Sequence, residues 1–162
     1  VGSEMCIRDS FKGVDDPVEI VFFGDHQPGL CNDFIKLLNG KGNSGLTEQE
    51  LENLYKVPFF IWTNYETDAQ KVDVTSLNYL STLTLERANI DLPAYNRFLA
   101  ELMEKIPAIN SRGYYSKKNE CFMHVDEATG DEAKWIKAYN ILQYNSMFDE
   151  KDRSSLLFPY LK

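Results

Sequence analysis

The stretch VEIVFFGDHQPGL, residues 18–30, decides the fold class that the sequence predicts. It begins with a nearly continuous apolar run, Val18 to Phe23, which is typical of a strand buried on both faces of a parallel sheet. Gly24 ends this run, and Pro28 and Gly29 indicate a turn a few residues later. The stretch therefore predicts a buried strand that stops at a polar corner.

A second apolar run, VPFFIW at residues 57–62, has the same character, with Pro58 near its start where a missing N–H is tolerated. Apolar residues at helical spacing predict three longer helices, over Thr75–Ala88, from Pro93 to Pro107, and over Glu132–Phe148. Strands mixed with helices indicate an α/β fold, a sheet flanked by helices. Because two strands cannot form a stable parallel sheet, we expect this sheet to be incomplete, with its other strands upstream.

Two further segments have local signatures. Thr47 followed three residues later by Glu50 is the pattern of a capping box and predicts a short helix after Thr47. The segment Arg112–Gly130 is polar and mixed, and predicts a loop.

The first ten residues, VGSEMCIRDS, show neither helical nor strand periodicity, and they resemble translated adapter sequence. We expect residues 1–10 to be non-native, and residues 11–162 to belong to one domain.

Composition and charge exclude several classes of function. Acidic residues outnumber basic ones by 25 to 17, which gives a net charge of −8 and argues against nucleic-acid binding and against binding an anionic membrane by charge alone. No apolar run approaches the length of a membrane-spanning helix. Three cysteines without C-x-x-C spacing argue against a zinc knuckle or a disulfide framework.

Asp25 and His26 follow the first strand, at the edge where open α/β sheets bind ligands. A carboxylate oxygen and an imidazole nitrogen together suit Mn²⁺, Zn²⁺ or a related divalent ion. Adjacent strand residues point to opposite faces, so both reach one ion only if the backbone leaves strand geometry near Gly24. The alternative is a polar turn, in which Asp25 caps a following helix and His26 is merely exposed.

Three further polar residues are candidates for a role in the site. His124, the second histidine, stands beside Asp126 and Glu127 in a polar segment, which favours a surface residue over a third ligand. Asn64 and Tyr65 end the second predicted strand, so they are candidates to approach a substrate.

The segment VEIVFFGDHQPGL resembles the GDH strand of the alkaline phosphatase/sulfatase superfamily, most closely its lipoteichoic acid synthase, or phosphoglycerol transferase, branch. Three later segments resemble that branch in the same order, so the likeness extends from Val18 to Asp152. These segments are YKVPFFIWTNY at 55–65, SLNYLSTLTLERANIDLPAYNRFLAELMEKIPAIN at 76–110, and AYNILQYNSMFDE at 138–150.

The resemblance implies the C-terminal portion of a sulfatase-like catalytic domain, held at the extracellular face of a bacterial membrane by helices outside this chain. It implies a divalent metal, usually Mn²⁺ with Zn²⁺ or Mg²⁺ as alternatives, and Asp25 and His26 match the family's aspartate and histidine ligands. The implied reaction transfers glycerol phosphate from a phosphatidylglycerol head group, through a threonine nucleophile, to a polymer acceptor of the cell envelope.

The nucleophile, the acidic metal ligand and the substrate-binding residues of that family lie before the GDH strand. No threonine here matches the nucleophile's motif, so we expect no catalytic residue in this chain and no activity by the chain alone. Two alternatives stay open. One is a fragment of a sulfatase- or phosphodiesterase-type hydrolase with the same metal site, and the other is a non-catalytic α/β binding module.

Overall fold

The structure, a computed structural model, describes residues 3–159, and the side chains of residues 6–159. Six helices and four strands follow one another along these residues. The helices are Ser3–Phe11 (α1), Asn32–Asn39 (α2), Glu48–Asn53 (α3), Leu80–Arg87 (α4), Ala94–Lys105 (α5) and Gly130–Met147 (α6), and the strands are Glu19–Phe23 (β1), Phe59–Thr63 (β2), Gly113–Ser116 (β3) and Cys121–His124 (β4). The prediction of a mixed α/β fold is confirmed at this level.

The two apolar runs form strands, but they pair antiparallel and not in a parallel sheet. In the register of β1 and β2, Glu19 lies opposite Thr63 and Phe23 opposite Phe59. The prediction of a parallel sheet was wrong because a continuous apolar run indicates burial and carries no information on strand direction.

The faces of the β1–β2 pair are only partly covered in the described part of the chain. Phe22 and Phe60 stack with ring centroids 5.2 Å apart, and their side chains are 40% and 39% exposed. These two strands are therefore not buried on both faces, as the apolar runs predicted.

The segment predicted as a loop contains a β-hairpin. Strands β3 and β4 pair antiparallel, from Gly113 opposite His124 to Ser116 opposite Cys121, and Tyr115 contacts Phe122 edge-on at 5.4 Å. The hairpin was missed because strands of four residues are too short to show an alternating pattern above a polar background.

The structure confirms the predicted helices with small shifts of their bounds. The capping box is confirmed: the Thr47 hydroxyl accepts a hydrogen bond from the Glu50 backbone N–H, and the Glu50 side chain accepts one from the Thr47 N–H. Helices α5 and α6 begin and end within a few residues of their predicted bounds. The predicted helix after Thr75 begins as a 3₁₀ turn, Leu77–Tyr79, and continues as α4.

Although residues 1–10 show no helical periodicity, α1 occupies Ser3–Phe11. Residues 1 and 2 lie outside the described part of the chain. The non-native origin of residues 1–10 stays a prediction.

The hydrophobic core lies between α5, α6 and the hairpin. Its buried members are Tyr79, Leu99, Leu102, Ile106, Ile109, Tyr114, Ile136 and Tyr139. The hydroxyl of Tyr79 donates to the Ile106 carbonyl at 2.9 Å, so this buried polar group is satisfied, and burial raises the pKa of the phenol. Between residues 6 and 78, by contrast, the buried side chains are those of Ile35 and Glu52.

No helix within residues 3–159 combines the length and the apolar character needed to cross a membrane.

Candidate functional site

The first strand ends at Gly24 because the segment that precedes β2 comes very close there. The Gly24 N–H donates to the Pro58 carbonyl at 3.0 Å, and a Cβ atom on Gly24 would lie 2.9 Å from the Cβ of Val57. Any side chain at Gly24 would therefore push the start of β2 away. After Gly24 the backbone leaves the strand, as the position of the glycine predicted.

Asp25 and His26 lie in the loop that follows, with side chains 80% and 77% exposed. Their side chains converge: Oδ2 of Asp25 is 3.3 Å from Nε2 of His26. The second carboxylate oxygen, Oδ1, accepts a hydrogen bond from the His26 backbone N–H at 2.9 Å. The carboxylate is thus fixed by the backbone of its neighbour and faces the imidazole ring.

Gln27 holds this loop in place, although no sequence pattern singled it out. Its side-chain amide donates to the Lys56 carbonyl, which ties the loop to the residues before β2. Its own carbonyl oxygen lies 2.9 Å from Nδ1 of His26. Only its position beside the Asp-His pair could have indicated this role.

The contact with Gln27 assigns the tautomer of His26. A carbonyl oxygen can only accept, so Nδ1 of His26 carries the proton and donates it. A neutral ring then has its lone pair on Nε2, the atom that faces the Asp25 carboxylate. Two lone pairs that face each other repel, so a metal ion bound between Nε2 and the carboxylate would stabilise this arrangement.

The pair fits the requirements for two ligands of a divalent metal ion. Two donor atoms about 2.0–2.1 Å from a tetrahedral ion lie about 3.3–3.4 Å apart, which matches the separation of Oδ2 and Nε2. Within residues 3–159 there is no group of three or more histidine, cysteine, aspartate or glutamate residues that could hold such an ion. Two donor atoms by themselves do not complete a coordination shell.

His124, the second histidine, also lies close to the carboxylate of a neighbouring aspartate. Its Nδ1 accepts a hydrogen bond from the Asp126 N–H at 3.3 Å and lies 3.4 Å from Oδ2 of Asp126. The ring therefore caps the 3₁₀ turn Val125–Glu127, and its protonated nitrogen is Nε2, the reverse of His26. This local capping role agrees with the surface residue that was expected.

Asn64 and Tyr65, the two candidates at the end of the second strand, do not lie beside the Asp25–His26 pair. Because β1 and β2 run antiparallel, the end of β2 lies beside the start of β1. Asn64 accepts from the Val18 N–H at 2.8 Å and clamps the chain before β1, while Tyr65 donates to Glu19 at 3.2 Å. Burial, and then this hydrogen bond, raise the pKa of Tyr65.

Comparison with known proteins gives one informative result. No protein-family model matches the sequence, and no curated protein matches it either. The fold is similar to that of Streptococcus pyogenes phosphoglycerol transferase GacH, solved in complex with sn-glycerol-1-phosphate, with a TM-score of 0.58 and 19% sequence identity. The match covers 88% of this chain and 30% of that chain. At this identity the likeness shows a shared fold.

Proposed function

We propose that this chain is part of a phosphoglycerol transferase of the sulfatase-like type, in which Asp25 and His26 bind a divalent metal ion. The observation that carries the proposal is the fold similarity to a streptococcal phosphoglycerol transferase over 88% of this chain. That enzyme was solved with sn-glycerol-1-phosphate, which supports a glycerophosphate group as the substrate class.

The described residues have defined roles in this proposal. Asp25 and His26 supply one oxygen and one nitrogen ligand, a set that suits Mn²⁺, with Zn²⁺ and Mg²⁺ as the alternatives. Gln27 orients the imidazole so that its unprotonated nitrogen faces the ion site. When bound, the ion would stabilise negative charge on the phosphoryl oxygens.

The proposal assigns no catalytic residue to this chain. The chain spans 30% of the length of its structural neighbour, and the proposal places the nucleophile and the remaining ligands in other parts of the enzyme. The phosphatidylglycerol donor, the polymer acceptor and the location at the extracellular face of a membrane are parts of the same proposal.

One observation favours a second candidate, a non-catalytic binding module. The hydrogen bond from the His26 N–H to Asp25 Oδ1 is a local turn contact that needs no metal ion. In this reading the imidazole of His26 contacts only the carboxylate and solvent. The two candidates differ in what they predict for metal binding.

The deciding experiment is calorimetric titration of the full chain with Mn²⁺ and with Zn²⁺, for the parent protein and for Asp25→Ala and His26→Ala. We expect one binding site, weakened at least tenfold by either substitution, because each removes one ligand. Addition of sn-glycerol-1-phosphate to the metal-loaded chain is expected to release further heat, and to release none in EDTA.

His124→Ala is the matched control, because it removes the other histidine–aspartate contact in the chain. Its metal affinity should equal that of the parent protein. Affinity that survives both Asp25→Ala and His26→Ala would contradict the metal site, and would favour the turn-forming role of the pair.

A further inference from the structure

Helix α6 carries apolar side chains on two opposite sides. Ile136 and Tyr139 are buried in the hydrophobic core. Tyr144 comes five positions after Tyr139, which at about 3.6 residues per turn puts it on nearly the opposite side of the helix. On that side Ile141, Tyr144 and Phe148 are 56%, 62% and 65% exposed. The described part of the chain therefore leaves a second apolar side of α6 uncovered.

This second side, which we call the outer face of α6, has the spacing of a single helix face. Its members are Ala133, Lys137, Asn140, Ile141, Tyr144 and Phe148. A groove of about 470 Å³ lies along it, and Val125 and Ala128 from the segment before α6 also line this groove. The rings of Tyr144 and Phe148 pack with their centroids 5.5 Å apart and form one continuous apolar surface. Soluble monomers rarely expose a continuous apolar surface, so the outer face indicates an interaction site.

The groove also contains one group of each charge, and no described residue compensates either of them. The Lys137 ammonium forms no ion pair within residues 6–159. Asp149 accepts hydrogen bonds from the Asn145 amide at 3.2 Å and from the Asp152 N–H at 3.3 Å, and both of these donors are neutral. Lys137 and Asp149 are twelve residues apart, about 18 Å along a helix, so they cannot pair with each other in one copy.

Two copies of the chain can pair these charges if their α6 helices lie antiparallel about a two-fold axis near residue 143. Lys137 lies six residues before this position and Asp149 six residues after it, so each ammonium lies opposite the carboxylate of the other copy. Ile141 and Tyr144, within two residues of the axis, then cover each other. A parallel pairing would instead bring the two Lys137 ammonium groups together, which is unfavourable.

We infer that the outer face of α6 is the interface of a symmetric homodimer, in which the α6 helices of two copies pack antiparallel. This arrangement buries the exposed apolar side chains of both copies and pairs each Lys137 with an Asp149. The inference does not depend on the metal site or on the proposed enzyme.

Helix α2 also exposes apolar side chains, but it lacks this match of unpaired charges. Leu37 is 78% exposed, and beside it the Lys36 ammonium lies 3.9 Å from the Asp33 carboxylate of the same chain. The charges of α2 are thus paired within one copy. For this reason α2 serves as the comparison surface in the test.

The first measurement is the mass of the full chain in solution. Sedimentation equilibrium is run between about 1 and 500 µM protein, in about 0.15 M salt to screen the repulsion between two chains of net charge −8. We expect one monomer–dimer equilibrium with a Kd of about 1–100 µM, because a single helix pair gives a small interface. A monomer at every concentration, or growth beyond the dimer, would overturn the inference, since a two-fold interface closes on itself.

Tyr144→Glu tests where the interface lies. It places a charge at the centre of the outer face and should raise Kd about 100-fold or more, while thermal unfolding stays near that of the parent protein because the side chain is exposed. Leu37→Glu is the matched control, an equivalent change on α2 that should leave Kd unchanged. A dimer that survives Tyr144→Glu, or that is lost in Leu37→Glu, would place the interface elsewhere and overturn the inference.

A mixing experiment tests the antiparallel arrangement. Lys137→Glu and Asp149→Lys each put like charges opposite each other and should each raise Kd about tenfold. In an equal mixture, every heterodimer of the two variants has two pairs of opposite charges, so the dimer should return with about the parent Kd. Lys118→Glu, at an exposed lysine outside the groove, makes the same change in net charge and should have no effect. A mixture that stays monomeric, with both variants folded by circular dichroism, would overturn the inference.

Discussion

The chain has two regions that are stabilised in different ways. The C-terminal region, residues 79–147, contains every member of the hydrophobic core, including Leu102, Ile106 and Tyr114, which are fully buried. The N-terminal region, residues 6–74, contains the Asp25–His26 pair and exposes large apolar side chains such as Phe23 at 46% and Leu37 at 78%. The candidate site thus lies in the region that has almost no core.

The N-terminal region is instead held together by backbone pairing and polar contacts. Strands β1 and β2 pair over five residues each, and the side chain of Asn64 binds the backbone of Val18, Val14 and Asp16 at 2.8–3.0 Å. Such contacts contribute less than core burial, and segments held in this way open more readily. Candidate binding loops belong to this part of a protein by necessity, since they must admit a ligand.

Helix α3 joins the two regions. Glu52 binds Asn110 beside the hairpin, and Glu48 lies 3.4 Å from Arg112. The N-terminal region is therefore attached by polar contacts to a region whose own core is well packed.

The largest expected difference between the regions is the cost of removing an apolar side chain. Leu102→Ala in the core should lower the free energy of unfolding by about 2–5 kcal/mol, because it removes a fully buried side chain and leaves a cavity. Phe22→Ala on the β1–β2 pair should cost about 0.5–1.5 kcal/mol, mainly its ring contact with Phe60. Urea denaturation followed by circular dichroism measures both values.

Ile106→Val provides a milder core substitution, expected to cost about 0.5–1.5 kcal/mol, in case Leu102→Ala does not fold. Leu37→Ala, at a side chain 78% exposed, is the control and should change little. A loss for Phe22→Ala as large as that for Leu102→Ala would show that the two regions share one cooperative core and would break the comparison.

The next largest effect concerns a buried polar contact in the C-terminal region. The hydroxyl of Ser116, which is fully buried, donates to Glu132 at 2.8 Å and accepts from the Asn119 N–H at 3.2 Å. Ser116→Ala leaves both groups without this partner and should cost about 1–3 kcal/mol. Ser111→Ala, at an exposed serine of the same segment, should stay within about 0.5 kcal/mol of the parent protein. Equal values for the two variants would show that solvent replaces the Ser116 contacts.

The sequence predicted local features of the fold well where one residue type has one physical effect. Pro93 and Pro107 bound α5 because proline favours the start of a helix and cannot continue it, and Thr47 with Glu50 forms the expected capping box. Strand direction depends on contacts between distant segments, so the pairing of β1 with β2 could not be inferred from either run.

Predictions for the candidate site divide in the same way, between local features that the sequence indicated and contacts between distant segments that it did not. The convergence of Asp25 and His26 depended on the backbone leaving strand geometry near Gly24, and the structure brings their side chains to 3.3 Å. Asn64 and Tyr65 were candidates only on the assumption of a parallel sheet, in which both strands end at the same edge. Glu52 and Asn110, 58 residues apart, meet across the fold and have no sequence signal that joins them.

The smallest expected effect is the loss of folding stability in acid that comes from a surface contact of Glu50 at the start of α3. The ammonium of Lys41, 2.8 Å from Glu50, and then the Thr47 backbone N–H, lower the pKa of Glu50 from 4.5 to about 2. A pKa lower in the folded than in the unfolded chain contributes stability that is present above about pH 4.5 and is lost as the pH falls towards 2. The contribution is small because the carboxylate is in solvent, and added salt should reduce it further.

This effect can be measured by NMR titration of the Glu50 carboxylate together with unfolding at several pH values. Lys41→Ala should raise the Glu50 pKa towards 4.5 and flatten the loss of stability between pH 4.5 and 2. Lys36→Ala is the control, because Lys36 pairs with Asp33 and not with Glu50. An unchanged Glu50 pKa in Lys41→Ala would assign the shift to the Thr47 backbone N–H alone. The start of α3 would then depend on its capping box rather than on the charge of Lys41. Local backbone hydrogen bonds, which need no burial, would stabilise the helix that joins the two regions.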